Sequence, residues 1–424
     1  MNLAALSLAA LFVTVFLSCV TELNVGILAI GMAWIIGVYL GGIPVNELIA
    51  GFPAQLFLTL VGVTLLFSQA QINGTLDKIA HKAVNLCRGN AGLIPVMFFF
   101  VAASLASMGP GNIASAALMA PVAMAVGGRA KVPPFLMAIM VGNGANAGSL
   151  SPFAPTGIIV NGLMGKIGMP GLEWQVYWTN LLAHAGVAFI AYALFGGLRL
   201  FAREPHRVAA AAGSNTVTAP AIPRPSSTAL DRNNWLTIAV IASLLSGVIV
   251  FRIHVGLAAF FAAGLLGLIG AADHKESIRK IPWNVILMVT GVTVLIAVLE
   301  KTQGLALFTD LLTRIATKQS VTGLVAFLTG LVSVYSSTSG VVLPAFLPTV
   351  PGLAANLGAD PVSIALSMNV GSHLVDVSPL STIGALCIAA AADVDSRKLF
   401  NKMLAWGLSM TVAGAVLSLI FFRT

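Results

Sequence analysis

Four stretches of small polar residues interrupt an otherwise apolar chain, and they are where chemistry could be done. The first is Ser107-Met108-Gly109-Pro110-Gly111-Asn112-Ile113-Ala114-Ser115. The second runs from Asn143-Gly144-Ala145-Asn146 through Ser151-Pro152 to Thr156-Gly157. The third is Ser336-Ser337-Thr338-Ser339-Gly340, followed by Pro344 and Pro348. The fourth runs from Asn369-Val370-Gly371-Ser372-His373 through Asp376 and Ser378-Pro379 to Ser381-Thr382-Ile383-Gly384. Proline lacks an N–H and glycine is floppy, so a helix entering such a stretch breaks there. At membrane depth the freed backbone groups must be buried in protein or face a wet cavity. Half-helix N-termini then attract anions, and loose carbonyls coordinate cations. One such Ser or Gly taken alone reads sooner as helix packing; four breaks in related places do not.

The four stretches hold no Lys or Arg, and their only ionisable groups are His373 and Asp376. A charge near the bilayer centre costs roughly 3 kcal/mol or more unless water or a partner serves it. Asp376 therefore either lines a cavity, holding a proton or cation, or sits at a helix end nearer the interface. His373, three residues earlier, is either a hydrogen-bonded partner or a substrate or proton contact. An anion bound without fixed cations needs N–H groups, hydroxyls, amides and a co-bound cation together. That points to cation-coupled anion uptake. No nucleophile–base constellation or metal cluster stands out, so an enzyme is not expected. The three cysteines, Cys19, Cys87 and Cys387, are scattered without ligand spacing.

The elements that must position these residues are membrane helices. Of 424 residues 58% are hydrophobic and 8% charged, which excludes the soluble classes. The net charge of +8 reads as a positive-inside bias, since no basic run or aromatic-interleaved patch suggests nucleic acid. Roughly ten stretches reach the apolar length needed to span. The first half gives candidate spans at 3–20, 23–42, 53–70 and 176–200, a long segment at 91–126 and an interrupted span at 133–162. The run 3–20 lacks a basic n-region and reads as a retained span. A Pro-rich polar linker occupies 201–234. The second half repeats the pattern at 235–252, 253–272, 281–299, 320–356, 361–390 and 399–422. Amphipathic stretches at 71–90 and 300–319 suit the interface.

The repeat is legible residue by residue. Asn24–Ala29 resembles His254–Ala259, and Val61–Leu66 resembles Thr290–Leu295. Pro121, Pro134, Gly144, Ser151-Pro152 and Gly157 recur as Pro348, Pro361, Gly371, Ser378-Pro379 and Gly384. With 91–126 and 320–356 as re-entrant hairpins, each half crosses five times and the halves are inverted. Placing both termini outside leaves only Lys166, Arg252, Lys301, Arg314, Lys318 and Arg423 of the 22 basic residues there. The expected fold is therefore an all-α polytopic membrane protein of two inverted repeats, 1–200 and 235–424, joined by a cytoplasmic linker. Each repeat holds a re-entrant hairpin and an unwound helix (133–162 and 361–390).

These residues resemble the MatC-type malonate and dicarboxylate carriers, within the ion transporter superfamily that includes the divalent anion–sodium symporters. The opening through Leu23-Asn24-Val25-Gly26 looks like the start of the MatC N-terminal region. The symporters carry Ser-Asn-Thr ten residues ahead of Leu-Pro. Here Gly111-Asn112-Ile113 precedes Pro121 and Thr338-Ser339-Gly340 precedes Leu347-Pro348 at that spacing, with only the Asn kept. The resemblance implies two hairpins and two broken helices enclosing one dicarboxylate, an elevator-like motion, a homodimer in a bacterial inner membrane, and Na⁺ near Asn112 and Ser339. H⁺ coupling through Asp376 and His373 is the alternative. Substrate contacts are expected from Gly111, Asn112, Ser115, Asn146, Ser151, Thr156, Thr338, Ser339, Ser378, Ser381 and Thr382. Coupling is expected from Ser107, Asn143, Ser336, Ser337, His373 and Asp376. Two other readings are a membrane subunit of a binding-protein-dependent carrier and a cation/proton antiporter; the antiporter would want more acidic residues in the breaks.

Overall fold

The computed structural model describes residues 2–21, 23–76, 78–79, 90–201, 229–251, 253–391 and 395–423. Most of the 201–234 linker, much of the 71–90 stretch and Cys87 lie outside the described residues. The regular structure of the described residues is helical, without strands. Six helices are long and apolar enough to cross a membrane, from Ala54–Ile72 in the first half to Ser396–Phe421 at the end. Five more apolar helices are shorter. The sequence suggested roughly ten apolar stretches, some of them interrupted; breaks inside the apolar text account for the shorter pieces.

The elements that frame the site come in two sets. In the first half they are α1 (Val25–Trp34), α2 (Ala54–Ile72), α3 (Leu93–Ser107), α4 (Gly111–Arg129), α5 (Pro134–Gly148), α6 (Pro155–Lys166) and α7 (Glu173–Leu194). In the second they are α8 (Val255–Leu268), α9 (Trp283–Lys301), α10 (Val321–Ser333), a π-helical turn Thr338–Val342, α11 (Pro361–Leu374), α12 (Thr382–Ala389) and α13 (Ser396–Phe421). Helix starts at 25, 54, 111, 134 and 155 thus recur at 255, 283, 338, 361 and 382. The local causes recur too. Asn24 and His254 cap α1 and α8 through their side chains. Pro53 and Pro282 precede α2 and α9, and a proline opens both α5 and α11.

The halves are interwoven. Helix α1 packs on α9 of the other half, and α8 packs on α2. Backbone contact makes these crossings: a methyl on Gly26 would lie 2.1 Å from the Leu287 carbonyl oxygen, and one on Gly62 would lie 2.5 Å from that of Gly256. Two large apolar clusters result. One joins α2, α8 and α9, with Leu60, Leu66, Ala263 and Leu295 fully buried; the other joins α3, α4 and α5 around Phe98, Phe99, Met119 and Ile139. At about 1.5 Å per residue, α3 and α10 are only about 22 Å and 20 Å long, too short for a 30 Å hydrocarbon core.

Candidate functional site

Three residues, Met108 to Pro110, separate α3 from α4, and the backbone there needs glycine. Gly109 and Gly111 have φ of +135° and +80°, and a methyl on Gly109 would strike the Phe67 ring at 1.8 Å. The tip therefore sits pressed against α2. The corresponding tip in the second half opens the π-turn, where Ser337 caps by accepting from the Gly340 N–H at 3.0 Å.

The second pair of breaks lies between α5 and α6 and between α11 and α12. Helix α5 stops at Gly148 and α6 starts at Pro155; α11 stops at Leu374 and α12 starts at Thr382. Both loops fold back on the next helix at a glycine. Methyls on Gly157 and Gly384 would lie 1.9 Å and 2.0 Å from the carbonyl oxygens of Ser151 and Ser378. Ser381 caps α12, accepting from the Gly384 N–H at 3.3 Å, and its hydroxyl donates to the carbonyls of Asp376 and Ser378.

The four breaks meet at one cavity of about 520 Å³, within the range of small-molecule sites. Four helix N-termini line it, through Gly111 and Asn112, Pro155 and Thr156, Thr338 and Ser339, and Ser381 and Thr382. Ser336, Ser337, His373 and Asp376 complete the inner wall. Thr338 donates to the Asp376 carboxylate at 2.7 Å, and Asn112 donates to Asn146 Oδ1 at 2.9 Å.

Six residues singled out from the sequence stand behind that wall. Ser115 donates to the Ala102 carbonyl, Ser151 to that of Ser107, and Ser107 to that of Ala103 while meeting the Tyr177 hydroxyl at 3.0 Å. Asn143 donates to the Ile139 carbonyl and faces His184 Nδ1 at 2.9 Å. Asn146 receives Asn112, and Ser378 is fully buried beneath the α12 break. These side chains stitch helices together and hold the wall from behind.

Sequence reasoning missed part of the lining. Lys280, Asn284 and Gln71 reach the cavity from helices outside the breaks, and Tyr335 from the turn just ahead of Ser336. Lys280 corrects the expectation of a site without a fixed cation: it is exposed, and among the described residues it forms no ion pair. Its signal was its place just ahead of Pro282 and the α9 start, a junction that breaks a helix as the polar stretches do. Also missed were Asn180 and His184, both fully buried on α7. An amide and an imidazole four residues apart in an apolar span could have flagged them.

Among the described residues the chain is helical, with apolar spans long enough to cross a membrane and four helix ends at one cavity, the architecture of a multi-pass membrane protein. The comparisons agree. Residues 1–149 match the family described as dicarboxylate carrier protein MatC N-terminus, a family of carriers, in line with the resemblance drawn from that part of the sequence. The fold is similar to the crystal structure of the YdaH transporter of Alcanivorax borkumensis, described as revealing an unusual topology. The TM-score is 0.58 at 14% identity, over 90% of this chain and 88% of that one. No curated protein matches the chain.

Proposed function

We propose that the protein is a secondary active transporter carrying a small dicarboxylate, malonate- or succinate-like, across a bacterial inner membrane. The observation that carries this reading is the ring of four helix N-termini around one cavity. Each end presents roughly half a positive elementary charge, so four together offer about +2, the complement of a dianion. Fixed dipoles of this kind bind without a permanent buried cation, and they let the emptied site cross the bilayer without paying for one.

The recurrence of helix starts supports two inverted repeats, each with a re-entrant hairpin and an unwound helix. On this reading both termini lie outside, the 201–234 linker is cytoplasmic, the protein is a homodimer, and the hairpins and broken helices move as an elevator. Coupling is to Na⁺, held near Asn112 and Ser339, or to H⁺, held by the His373 and Asp376 wall.

The test is a thermal-shift panel of mono- and dicarboxylates on purified protein, run in Na⁺ and in K⁺ at two pH values. The expected result is stabilisation by C3 and C4 diacids only, lost in Asn112→Ala and Ser339→Ala. Equal response to monoacids, or wild-type shifts in both variants, refutes the assignment.

A further inference from the structure

Helix α2 crosses the first half without a break, yet its face toward the cavity is not apolar. Thr64, Phe67, Ser68 and Gln71 all line the site, at the i, i+3, i+4 and i+7 spacing that sets side chains on one helix face. Thr64, Ser68 and Gln71 thus form a polar stripe that runs toward the C-terminal end of the helix. From the other half, α9 brings Val285 and Met288 to the same cavity. The ring of Phe67 is the surface on which Gly109 presses, so the first-half tip and the start of α4 lie against this part of α2.

A hydroxyl in an apolar helix ordinarily turns back to the carbonyl four residues earlier. On α2, Thr59 donates to the Gln55 carbonyl at 2.9 Å and Thr64 to that of Leu60 at 2.7 Å. On α9, Thr290 and Thr293 donate to the carbonyls of Ile286 and Val289, each at 2.8 Å. Ser68 is the exception among the hydroxyls of these two helices. The residue is 6% exposed, and among the described residues its hydroxyl has no hydrogen-bond partner. Its oxygen is not sealed in the core but keeps open surface, and the surface it lines is the cavity. A buried hydroxyl that leaves its own backbone acceptor unused and turns to a cavity is placed to meet a guest.

We propose that Ser68 is a specificity-determining residue that hydrogen-bonds a hydroxyl on the substrate's carbon skeleton, so that the preferred cargo is a hydroxydicarboxylate. This rests on the carrier reading above and narrows its substrate class. On that reading the four helix ends meet the two carboxylates. What remains of a short diacid is its carbon skeleton, and the walls left to face it are α2 and α9. There Phe67, Val285 and Met288 offer apolar surface to methylene groups, and Ser68 stands among them with a free hydroxyl. A serine hydroxyl donates and accepts at once, which matches an alcohol group for group. It is also neutral, so it adds nothing to the charge the helix ends already meet, and it discriminates on the substituent alone. An unsubstituted diacid such as succinate has no group to offer it.

The experiment is calorimetry on the full-length protein in detergent, with succinate and with each enantiomer of malate, which is succinate carrying one hydroxyl. Wild type should bind one malate enantiomer about twofold to tenfold more tightly than succinate, the worth of one neutral hydrogen bond. Ser68→Ala removes the hydroxyl and leaves a good helix former. It should bind succinate within about twofold of wild type, which also shows that it folds, while malate falls to the succinate level. Ser68→Cys, nearly the same size with a weaker hydrogen-bonding group, should lose the preference too and serves if the alanine variant fails to fold. A malate preference that survives in either variant overturns the proposal, as does an equal loss of both ligands. So does wild-type protein that binds neither enantiomer more tightly than succinate, a result that leaves the carrier reading standing and needs no variant to fold. Failure of wild type to bind any of the diacids overturns the carrier reading instead.

Discussion

Gly157 and Gly384 set the entry of α6 and α12 into the cavity, and an alanine at either is the sharpest probe of that geometry. The added methyl would lie 1.9 Å from Ser151 O or 2.0 Å from Ser378 O. A carbon–oxygen contact settles beyond about 3 Å, so the loop must retreat by about 1 Å or the helix must turn. Overpacking of this kind costs about 1–3 kcal/mol. The retreat moves a helix N-terminus and its neighbour, Thr156 or Thr382, away from the ligand. At 1.4 kcal/mol per tenfold, succinate affinity should fall about 5- to 150-fold. The comparison variant is Gly186→Ala on α7, where a methyl meets nothing within 4 Å. There the helix gains about 0.5–1 kcal/mol from a stiffer backbone, and binding should not change. Binding is read by calorimetry in detergent, folding by size-exclusion profile and unliganded melting temperature. Wild-type affinity in both Gly157→Ala and Gly384→Ala, with both proteins folded, would refute the idea that these helix ends grip the substrate.

Further outcomes follow from charges outside the breaks. Lys280→Ala should raise the half-saturation concentration about twofold at physiological salt. A unit charge about 8 Å from a dianion in water is worth about 1 kcal/mol, and one Debye length of screening removes more than half of that. The effect should grow to about fivefold at low ionic strength, and uptake measured at two salt concentrations checks it. Asp231 accepts from Lys78 at 2.9 Å, and this bond holds its carboxyl below the usual 3.8. A depressed folded value contributes stability above the unfolded value and loses it as pH falls through the folded one. Melting temperature should therefore drop in acid below about pH 4, and Asp231→Asn should flatten that part of the profile; an unchanged acid limb would show the pair to be inert.

The breaks were readable from the sequence because Gly-Pro-Gly and Ser-Pro inside apolar text leave the backbone few alternatives. Eleven of the residues singled out there line the cavity and six do not. What the text could not give was direction. Ser115 and Thr338 look alike in sequence, yet one hydroxyl bonds the Ala102 carbonyl and the other the Asp376 carboxylate. A hydroxyl in an apolar helix has a backbone acceptor always within reach, and only tertiary packing decides whether it turns there or to the ligand. Asn284 and Gln71 were invisible for a related reason: they stand on ordinary helix ends, and which ends meet the cavity follows from how α1, α2, α8 and α9 exchange partners between halves.

The recurrence at an offset of 227 also shows where the halves differ. Asn112 and Asn146 stand where the second half has Ser339 and His373, and Asn180 stands where it has Gly407. The helix ends are backbone features, so both halves keep them whatever the side chains become. The lining residues that can carry a charge or a proton near neutrality, Lys280, His373 and Asp376, all lie in the second half. A dianion can be held by dipoles alone and is served equally from both sides. A proton, were it the coupling ion, would need a group whose charge changes, and one such group per site is enough, since two in a low-dielectric wall oppose each other. The division should be visible in mutants: amide and hydroxyl changes around α4 and α6 alter affinity at every pH, whereas changes at His373 alter the pH dependence itself.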